Sequence, residues 1–259
     1  MGLLLKAGIN FDLINSALLA FFSITFFIFF INSISTFKKL LPNYSLQLAG
    51  LIGNTSFLGI PIAIALLPTD TINFTIGFDL GTTIFSWIFG PYLLQEISEN
   101  KPKLNFRKLL SSIFNSPASR GVIGVLIIHI IGLEKLMVDF LWIPARLVIY
   151  IAIIIVGARL GMITEGKNNS TQYVKNIKFL FFLKLFILPV FIYIFCRILN
   201  FDGTGTTALV LQAGTPSAIS TILLAEAYKT ENNLAAKAFF TTTIVSTVTI
   251  PIIFFLANF

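Results

Sequence analysis

The stretch GNTSFLGIPIA, residues 53–63, interrupts a run that otherwise consists of leucine, isoleucine and alanine. Proline removes a backbone donor and clashes with the preceding helical turn, and glycine costs a helix about 1 kcal/mol relative to alanine. Inside a membrane, freed backbone groups are tolerated only where they line a cavity or are buried in protein. If the flanking run crosses a membrane, the stretch predicts a broken helix whose polar groups form a ligand-binding site.

The composition indicates that the run does belong to a membrane protein. Of the 259 residues, 56% are hydrophobic and 11% are charged, and the mean hydropathy is +0.90. A soluble domain carries about 25% charged residues, and apolar segments of about 20 residues cross a bilayer as helices. We predict an all-α polytopic membrane protein with eight spans, or seven if one is re-entrant. The spans lie near 11–34, 45–67, 72–94, 117–133, 138–160, 177–198, 207–227 and 235–257.

The net charge of +7 is interpreted as a topology signal and not as a nucleic-acid surface. When the eight spans are threaded through a bilayer, most Lys and Arg residues fall on one side, many of them in residues 95–112 and 164–176. Loops rich in Lys and Arg stay in the cytoplasm. These two loops are therefore predicted to be cytoplasmic, and both chain termini are predicted to lie outside.

A second interrupted segment, LVLQAGTPSAISTILL at 209–224, resembles the first. Interrupted spans in corresponding positions of two halves mark the binding site of transporters built from inverted repeats. The N-terminal ends of half-helices carry partial positive charge and unpaired N–H groups, which suit an anion. The side-chain amides of Asn54 and Gln212 add donors without burying a charge. The alternative is that these small residues only allow helices to pack closely.

The chain divides at its longest polar segment into two unequal parts. Residues 1–94 are predicted to form an N-terminal repeat of three helices with its crossover at 45–67, and residues 95–112 a cytoplasmic linker. Residues 113–259 are predicted to form a C-terminal repeat of five helices with its crossover at 207–227. Matching the two interrupted spans leaves the N-terminal repeat two spans short.

These residues resemble the auxin efflux carrier family. GNTSFLGIPIAIAL at 53–66 is similar to the family's hallmark motif in bacterial members, although Ser56 replaces a usual glycine. LQAGTPSAISTILLAEAYKTENNLAAKAFFTTTIVSTVTIPI at 211–252 is similar to the family's C-terminal pair of helices. The resemblance implies ten helices in two inverted repeats, with the fourth and ninth broken. The first span here then corresponds to the family's third, which leaves a natural short form, a misassigned start or a degraded gene as explanations.

The resemblance implies a secondary transporter of a small organic anion, such as a carboxylate, in a bacterial inner membrane. It implies no cofactor and no nucleic-acid partner, and it places a homodimer surface among the helices that are missing here. The anion would bind where the two broken helices cross. The predicted binding residues are Asn54, Thr55, Pro61, Gln212, Gly214, Thr215 and Pro216.

Two charged residues inside predicted spans are candidates for coupling transport to an ion. Intramembrane carboxylates are functional by default, so Asp79 is interpreted as a proton relay or coupling group, with a structural bond to Thr82 or Thr83 as the alternative. Lys184 lies two turns from the cytoplasmic end of its span. There its long stem can snorkel to the surface, which is the favoured interpretation, with substrate contact or a charge pair as the alternative.

Other classes of function find less support in the sequence. Cys196 and His129 are the only residues of their types, and no metal-ligand cluster or nucleophile motif is present. The chain is therefore predicted not to be an enzyme and not to hold a metal. The main alternative to a transporter is a non-transporting remnant, or a subunit that completes its scaffold with a partner chain.

Overall fold

The computed structural model describes residues 2–95, 117–162, 171–230 and 232–257. These residues are helical, with short connections and no strand among them. In chain order the α-helices are α1 Gly2–Ala7, α2 Phe11–Ser33, α3 Ser35–Leu40, α4 Tyr44–Leu51, α5 Ile60–Leu66, α6 Ile72–Gln95, α7 Pro117–Ile131, α8 Glu134–Met162, α9 Thr171–Phe182, α10 Leu188–Ile198, α11 Gly203–Ala213, α12 Ile219–Ala227 and α13 Asn232–Ala257. Two π-helices, Thr55–Gly59 and Leu183–Ile187, and a 3-10 turn, Thr69–Thr71, connect some of them.

Within the described part of the chain, three helical segments are long and apolar enough to cross a membrane. These are Phe11–Ser33, Lys175–Ile198 and Asn233–Ala257, and Thr55–Leu66 and Arg120–Ile131 are shorter apolar helices. The predicted all-α membrane class is confirmed. The predicted count of eight spans stays a prediction, and the predicted linker lies outside the described residues from residue 96 onward.

Helices α2 and α6 form a close pair because α6 presents two glycines to the α2 backbone. A Cβ atom at Gly77 would lie 2.3 Å from the Leu13 carbonyl oxygen, and one at Gly81 would lie 2.1 Å from the Ala17 carbonyl oxygen. Small residues four positions apart let membrane helices approach to backbone contact. A larger residue at either position would force the pair apart.

The largest apolar core lies around α4. Leu46 and Leu48 of this helix pack with Ile31 of α2, Leu180 of α9 and Leu224 of α12. A half-helix of eight residues would be marginal by itself, since isolated helices shorter than about 12–15 residues are barely stable. The surrounding apolar side chains therefore hold α4 in place.

Two helices are broken near their middle, and we call them the crossovers. The first crossover consists of α4, residues 52–54, the π-helix Thr55–Gly59 and α5, and the second consists of α11, residues 214–218 and α12. Helix α4 packs against α13, and α11 packs against α6. Each crossover is thus covered by the helix that follows the other crossover in the sequence.

Helices α7 and α8 lie at the periphery and expose long apolar side chains. Ile130 is 81% exposed, Phe140 71% and Ile143 68%. These helices meet the rest of the described chain through α1, α6 and the π-helix Thr55–Gly59. An all-round apolar surface on a helix is typical of contact with lipid or with neighbouring membrane helices.

Candidate functional site

The two breaks meet each other. The amide of Asn54 donates to the Pro216 carbonyl at 2.7 Å, and the amide of Ala218 donates to the Ile52 carbonyl at 3.0 Å. Gly53 and Ser217 thereby form an isolated antiparallel bridge. Buried backbone groups require partners, above all in a membrane. Part of the backbone released by each break is therefore satisfied by the other break.

This contact requires glycine at position 53. A Cβ atom there would lie 2.3 Å from Thr215 Oγ1 and 3.0 Å from Lys184 Nζ. Thr215 is itself fixed, because its hydroxyl donates to the Gln212 carbonyl at 2.7 Å. The two crossovers therefore touch at a point where only a residue without a side chain fits.

Lys184 belongs to this contact, and the interpretation of Lys184 as a snorkelling residue is wrong. The side chain is 1% exposed, and its Nζ donates to the Ala213 carbonyl at 2.7 Å. Ala213 is the last residue of α11, where the helix dipole places partial negative charge. Lys184 belongs to the π-helix Leu183–Ile187, from which its side chain reaches the end of α11. The ammonium group therefore binds this helix end and does not extend to the membrane surface. No carboxylate within the described residues forms an ion pair with Lys184.

Asp79 of α6 binds the start of the π-helix Thr55–Gly59, directly after the first break. Its Oδ1 accepts hydrogen bonds from the hydroxyls of Thr55 and Ser56, each at 2.6 Å. The Thr82 hydroxyl lies 3.2 Å from Thr55 Oγ1. The expected hydroxyl partners within α6 were Thr82 and Thr83, but Thr82 donates to the Asp79 backbone carbonyl and the carboxylate binds the crossover. Ser56 was not predicted as a site residue, although it stands at the one position that departs from the family motif.

Thr242 of α13 has the corresponding place beside the second break. Its Oγ1 accepts the Ser217 amide at 3.0 Å, and it donates to the Ala238 carbonyl at 2.7 Å. The Ser217 hydroxyl donates to the Ala49 carbonyl at 2.6 Å, near the end of α4. Neither residue was among the predicted site residues. The run of threonine and serine in α13 was visible, but its periodicity does not indicate which hydroxyl faces the break.

Asn54 and Gln212 are buried with unused hydrogen-bonding capacity. Asn54 is 3% exposed and Gln212 is fully buried. Within the described residues, Asn54 Nδ2 and both polar atoms of the Gln212 amide have no hydrogen-bond partner. A Cβ atom at Gly59 would lie 2.2 Å from Gln212 Oε1, so the second crossover's amide lies against the first crossover's π-helix. Leaving a buried polar group unpaired costs about 1–3 kcal/mol, which makes these amides candidates for ligand contact.

The structure places Pro61 away from the break. Helical conformation resumes at Thr55, and Pro61 lies in the first turn of α5, directly after the π-helix. Pro189 follows the π-helix Leu183–Ile187 at the same spacing. In an α-helix the proline ring clashes with the carbonyl four residues earlier, and a π-turn gives it room. The break itself lies at residues 52–54, so Pro61 does not open the helix there.

The structure also separates the predicted residues of the second crossover. Thr215 and the Pro216 carbonyl contact the first crossover, as described above. Gly214 instead faces other helices, since a Cβ atom there would lie 2.6 Å from Ile253 Cδ1 and 3.5 Å from Pro189 Cγ. Gly214 ends α11 and allows close packing against α13.

Comparison with known proteins identifies the family. Residues 3–254 match the family model described as membrane transport protein. The chain belongs to this family. It is the auxin efflux carrier family that the sequence resembles, so that prediction is confirmed.

A curated relative gives the same assignment. An uncharacterized transporter of Methanocaldococcus jannaschii is 20% identical over 207 residues, which cover 80% of this chain and 66% of the relative. The chain thus spans slightly less than two thirds of that relative's length. The family is one of transporters, and the chain is an integral membrane protein of that family.

Proposed function

We propose that this protein is a secondary transporter of a small organic anion, such as a carboxylate, which binds where the two crossovers meet. One observation carries this proposal. The Lys184 ammonium group lies at the bridge between the breaks, and the unpaired amides of Asn54 and Gln212 flank that bridge on the two crossovers. An ammonium and two amides supply hydrogen-bond donors of the kind that a carboxylate accepts.

The helix ends near the bridge favour an anion over a cation. The carboxyl ends of α4 and α11 would present partly negative carbonyls to the bridge. The Ser217 hydroxyl donates to the Ala49 carbonyl of α4, and Lys184 donates to the Ala213 carbonyl of α11. An ammonium group has three hydrogen-bond donors, and only one is used at Ala213. The positive end of the half-helix that begins at Ile219 adds to the same field, whereas the end at Thr55 already faces the Asp79 carboxylate.

Reciprocal packing supports an inverted repeat. In this proposal residues 1–94 and 113–259 are the two repeats, since α4 packs on α13 and α11 packs on α6. The crossovers, with the helices around them, would move against α7 and α8 to alternate access. The limited contact of α7 and α8 with the rest of the described chain supports this division. Asp79 and Lys184 are the proposed coupling groups, because each binds one crossover directly.

The first test measures the affinity of purified protein for a panel of small carboxylates, each paired with its neutral amide. Asn54→Ala and Gln212→Ala should each weaken carboxylate binding about tenfold to a hundredfold, the value of one hydrogen bond to a charged group. Asn73→Ala is the matched control, since Asn73 also has a buried unpaired atom but lies away from the bridge, in α6, where it lines a cavity with Lys6 and Trp142. Unchanged affinity in both variants at normal thermal stability would mean that these amides only pack helices.

The second test concerns orientation. Single cysteines placed in residues 95–112 and 164–176 should react with membrane-impermeant reagents in permeabilised cells and not in intact cells. A cysteine near Phe259 should react from outside. A C-terminus inside the cell would contradict both the charge-based topology and the proposed repeat alignment.

A further inference from the structure

A cavity lies away from the bridge between the crossovers, between α2 and α10. Its volume is about 750 Å³, within the range of pockets that hold drug-sized ligands. The Phe26 and Phe191 rings stack across it, with centroids 5.3 Å apart and an interplanar angle of 16°. None of its lining residues belongs to a crossover, and neither Asp79 nor Lys184 is among them. The proposed transport site does not account for this cavity.

The walls of the cavity are apolar and follow the helix axis. On α2, Leu18, Leu19, Phe22 and Phe26 line it at spacings of three and four residues, which places them on one face. At a rise of about 1.5 Å per residue, the eight steps from Leu18 to Phe26 span about 12 Å. One leaflet is about 15 Å deep, half of a hydrocarbon core of about 30 Å. The apolar part of the cavity therefore matches the depth of one leaflet.

The mouth of the cavity is acidic and amide-bearing. Asp12 and Asn15 line it from the first turns of α2, and Asn200 and Asp202 line it from the turn between α10 and α11. No Lys or Arg is among the described residues that line the cavity. The Asp202 carboxylate also caps α11, since its Oδ1 accepts the Gly205 amide at 2.6 Å. Two carboxylates that attract a cation thus lie beside two amides that can donate to an anion.

We propose that this cavity holds an acyl chain of phosphatidylethanolamine from the surrounding leaflet, with its ammonium group between Asp12 and Asp202. The apolar walls receive the chain, the carboxylates accept hydrogen bonds from the ammonium, and the amides of Asn15 and Asn200 donate to the phosphate. Phosphatidylglycerol lacks the ammonium group, and its net negative charge is repelled at this mouth. Phosphatidylcholine has a cationic headgroup but no N–H to donate.

The test compares retention of these three lipids, with identical acyl chains, by native mass spectrometry of the delipidated full chain. The wild type should retain phosphatidylethanolamine over phosphatidylglycerol. The Asp12→Asn and Asp202→Asn variants should each reduce that preference about twofold to fivefold, as expected for one exposed ion pair. Asparagine caps helices as well as aspartate does, so Asp202→Asn removes the charge and keeps the cap. Asp70→Asn is the control, because Asp70 is an exposed acid at another cavity.

A third variant tests the cavity itself. Leu18→Trp places a larger side chain in the cavity and should reduce retention of all three lipids. A thermal unfolding scan checks that the variant folds. Equal retention of phosphatidylethanolamine and phosphatidylglycerol by the wild type would overturn the proposal. It would also be overturned by an unchanged preference in the double aspartate variant, or by unchanged lipid retention in folded Leu18→Trp.

Discussion

Each crossover consists of a half-helix, a break and a second half-helix, but different side chains bind the segment that follows the break. In the first crossover, the Asp79 carboxylate binds the hydroxyls of Thr55 and Ser56, and the chain continues as a π-helix. In the second crossover, the Thr242 hydroxyl accepts the Ser217 amide, and the chain enters α12 directly. A charged group therefore fixes the first crossover, and a neutral group fixes the second.

The preceding half-helices show the opposite assignment. At the end of α4, the neutral Ser217 hydroxyl binds the Ala49 carbonyl. At the end of α11, the charged Lys184 binds the Ala213 carbonyl. Each crossover is thus held by one charge and one neutral group, in opposite order. Because the two charges bind different crossovers, a change in the charge of either residue would loosen one crossover and not the other.

Replacing Asp79 should have the largest effect on stability. Asp79→Ala leaves the hydroxyls of Thr55 and Ser56 without their acceptor, and two bonds to a charged group at about 1.5–3 kcal/mol each predict a loss of about 3 kcal/mol or more. Denaturant unfolding in mixed micelles measures this loss. Asp79→Asn keeps an acceptor oxygen and should lose less. If Asp79 couples protons to transport, this variant should also flatten the pH dependence of uptake.

Replacing Lys184 should weaken binding and also loosen the second crossover. In the proposed site, Lys184→Met removes a charged donor and should weaken carboxylate affinity about tenfold to a hundredfold. Stability should fall by about 1–3 kcal/mol, because the Ala213 carbonyl loses its buried hydrogen-bond donor. Lys178→Met, at an exposed position on α9, is the control. Normal carboxylate affinity in Lys184→Met would mean that the ammonium group only binds the end of α11 and does not contact the anion.

Gly53→Ala should damage both crossovers together, because the bridge is shared. Its Cβ atom would meet Thr215 and Lys184, and such overpacking costs about 1–3 kcal/mol. Adding Thr215→Ala removes the nearest atom and should restore part of the stability. Gly157→Ala is the control, since a Cβ atom there has no neighbour within 4 Å. Equal behaviour of the two alanine variants would show that the close approach at Gly53 is unimportant.

Thr242→Val should have the smallest effect of the four. It leaves the buried Ser217 amide without its acceptor, which costs about 1–2 kcal/mol for a single neutral group. Thr242→Ser keeps the hydroxyl and should recover most of that loss in the same unfolding measurement. If Thr242→Val were as destabilising as Asp79→Ala, the distinction between a charged and a neutral support would be wrong.

The sequence predicted the two breaks but not their exact position in the first crossover. Glycine, proline and an amide within each apolar run were sufficient to locate both segments, because each residue weakens a membrane helix for a local reason. The same reasoning overestimated Pro61. A π-turn absorbs a proline without opening the helix. Whether that turn forms depends on neighbours such as Asp79, which binds Thr55 and Ser56 from another helix.

Lys184 and Gly214 show the limit of the sequence for the candidate site. The stem of a lysine two turns inside a span is long enough to reach the surface or to stay inside, and the sequence favoured the surface, which is wrong. The end of α11 decides the matter, because its Ala213 carbonyl lies 2.7 Å from Lys184 Nζ. Gly214 belongs to the predicted motif, but it packs against Ile253 of α13. Residues adjacent in a motif can face different helices.

By itself, the sequence determined that this protein is an all-α membrane protein with two interrupted helices. Those properties follow from composition and from the backbone chemistry of single residues, which act over a few positions in the chain. Only the tertiary structure decided that the two breaks bond to each other through Asn54 and Ala218, and that Asp79 and Lys184 hold opposite crossovers. These contacts join residues distant in the chain, so their geometry depends on how the helices pack.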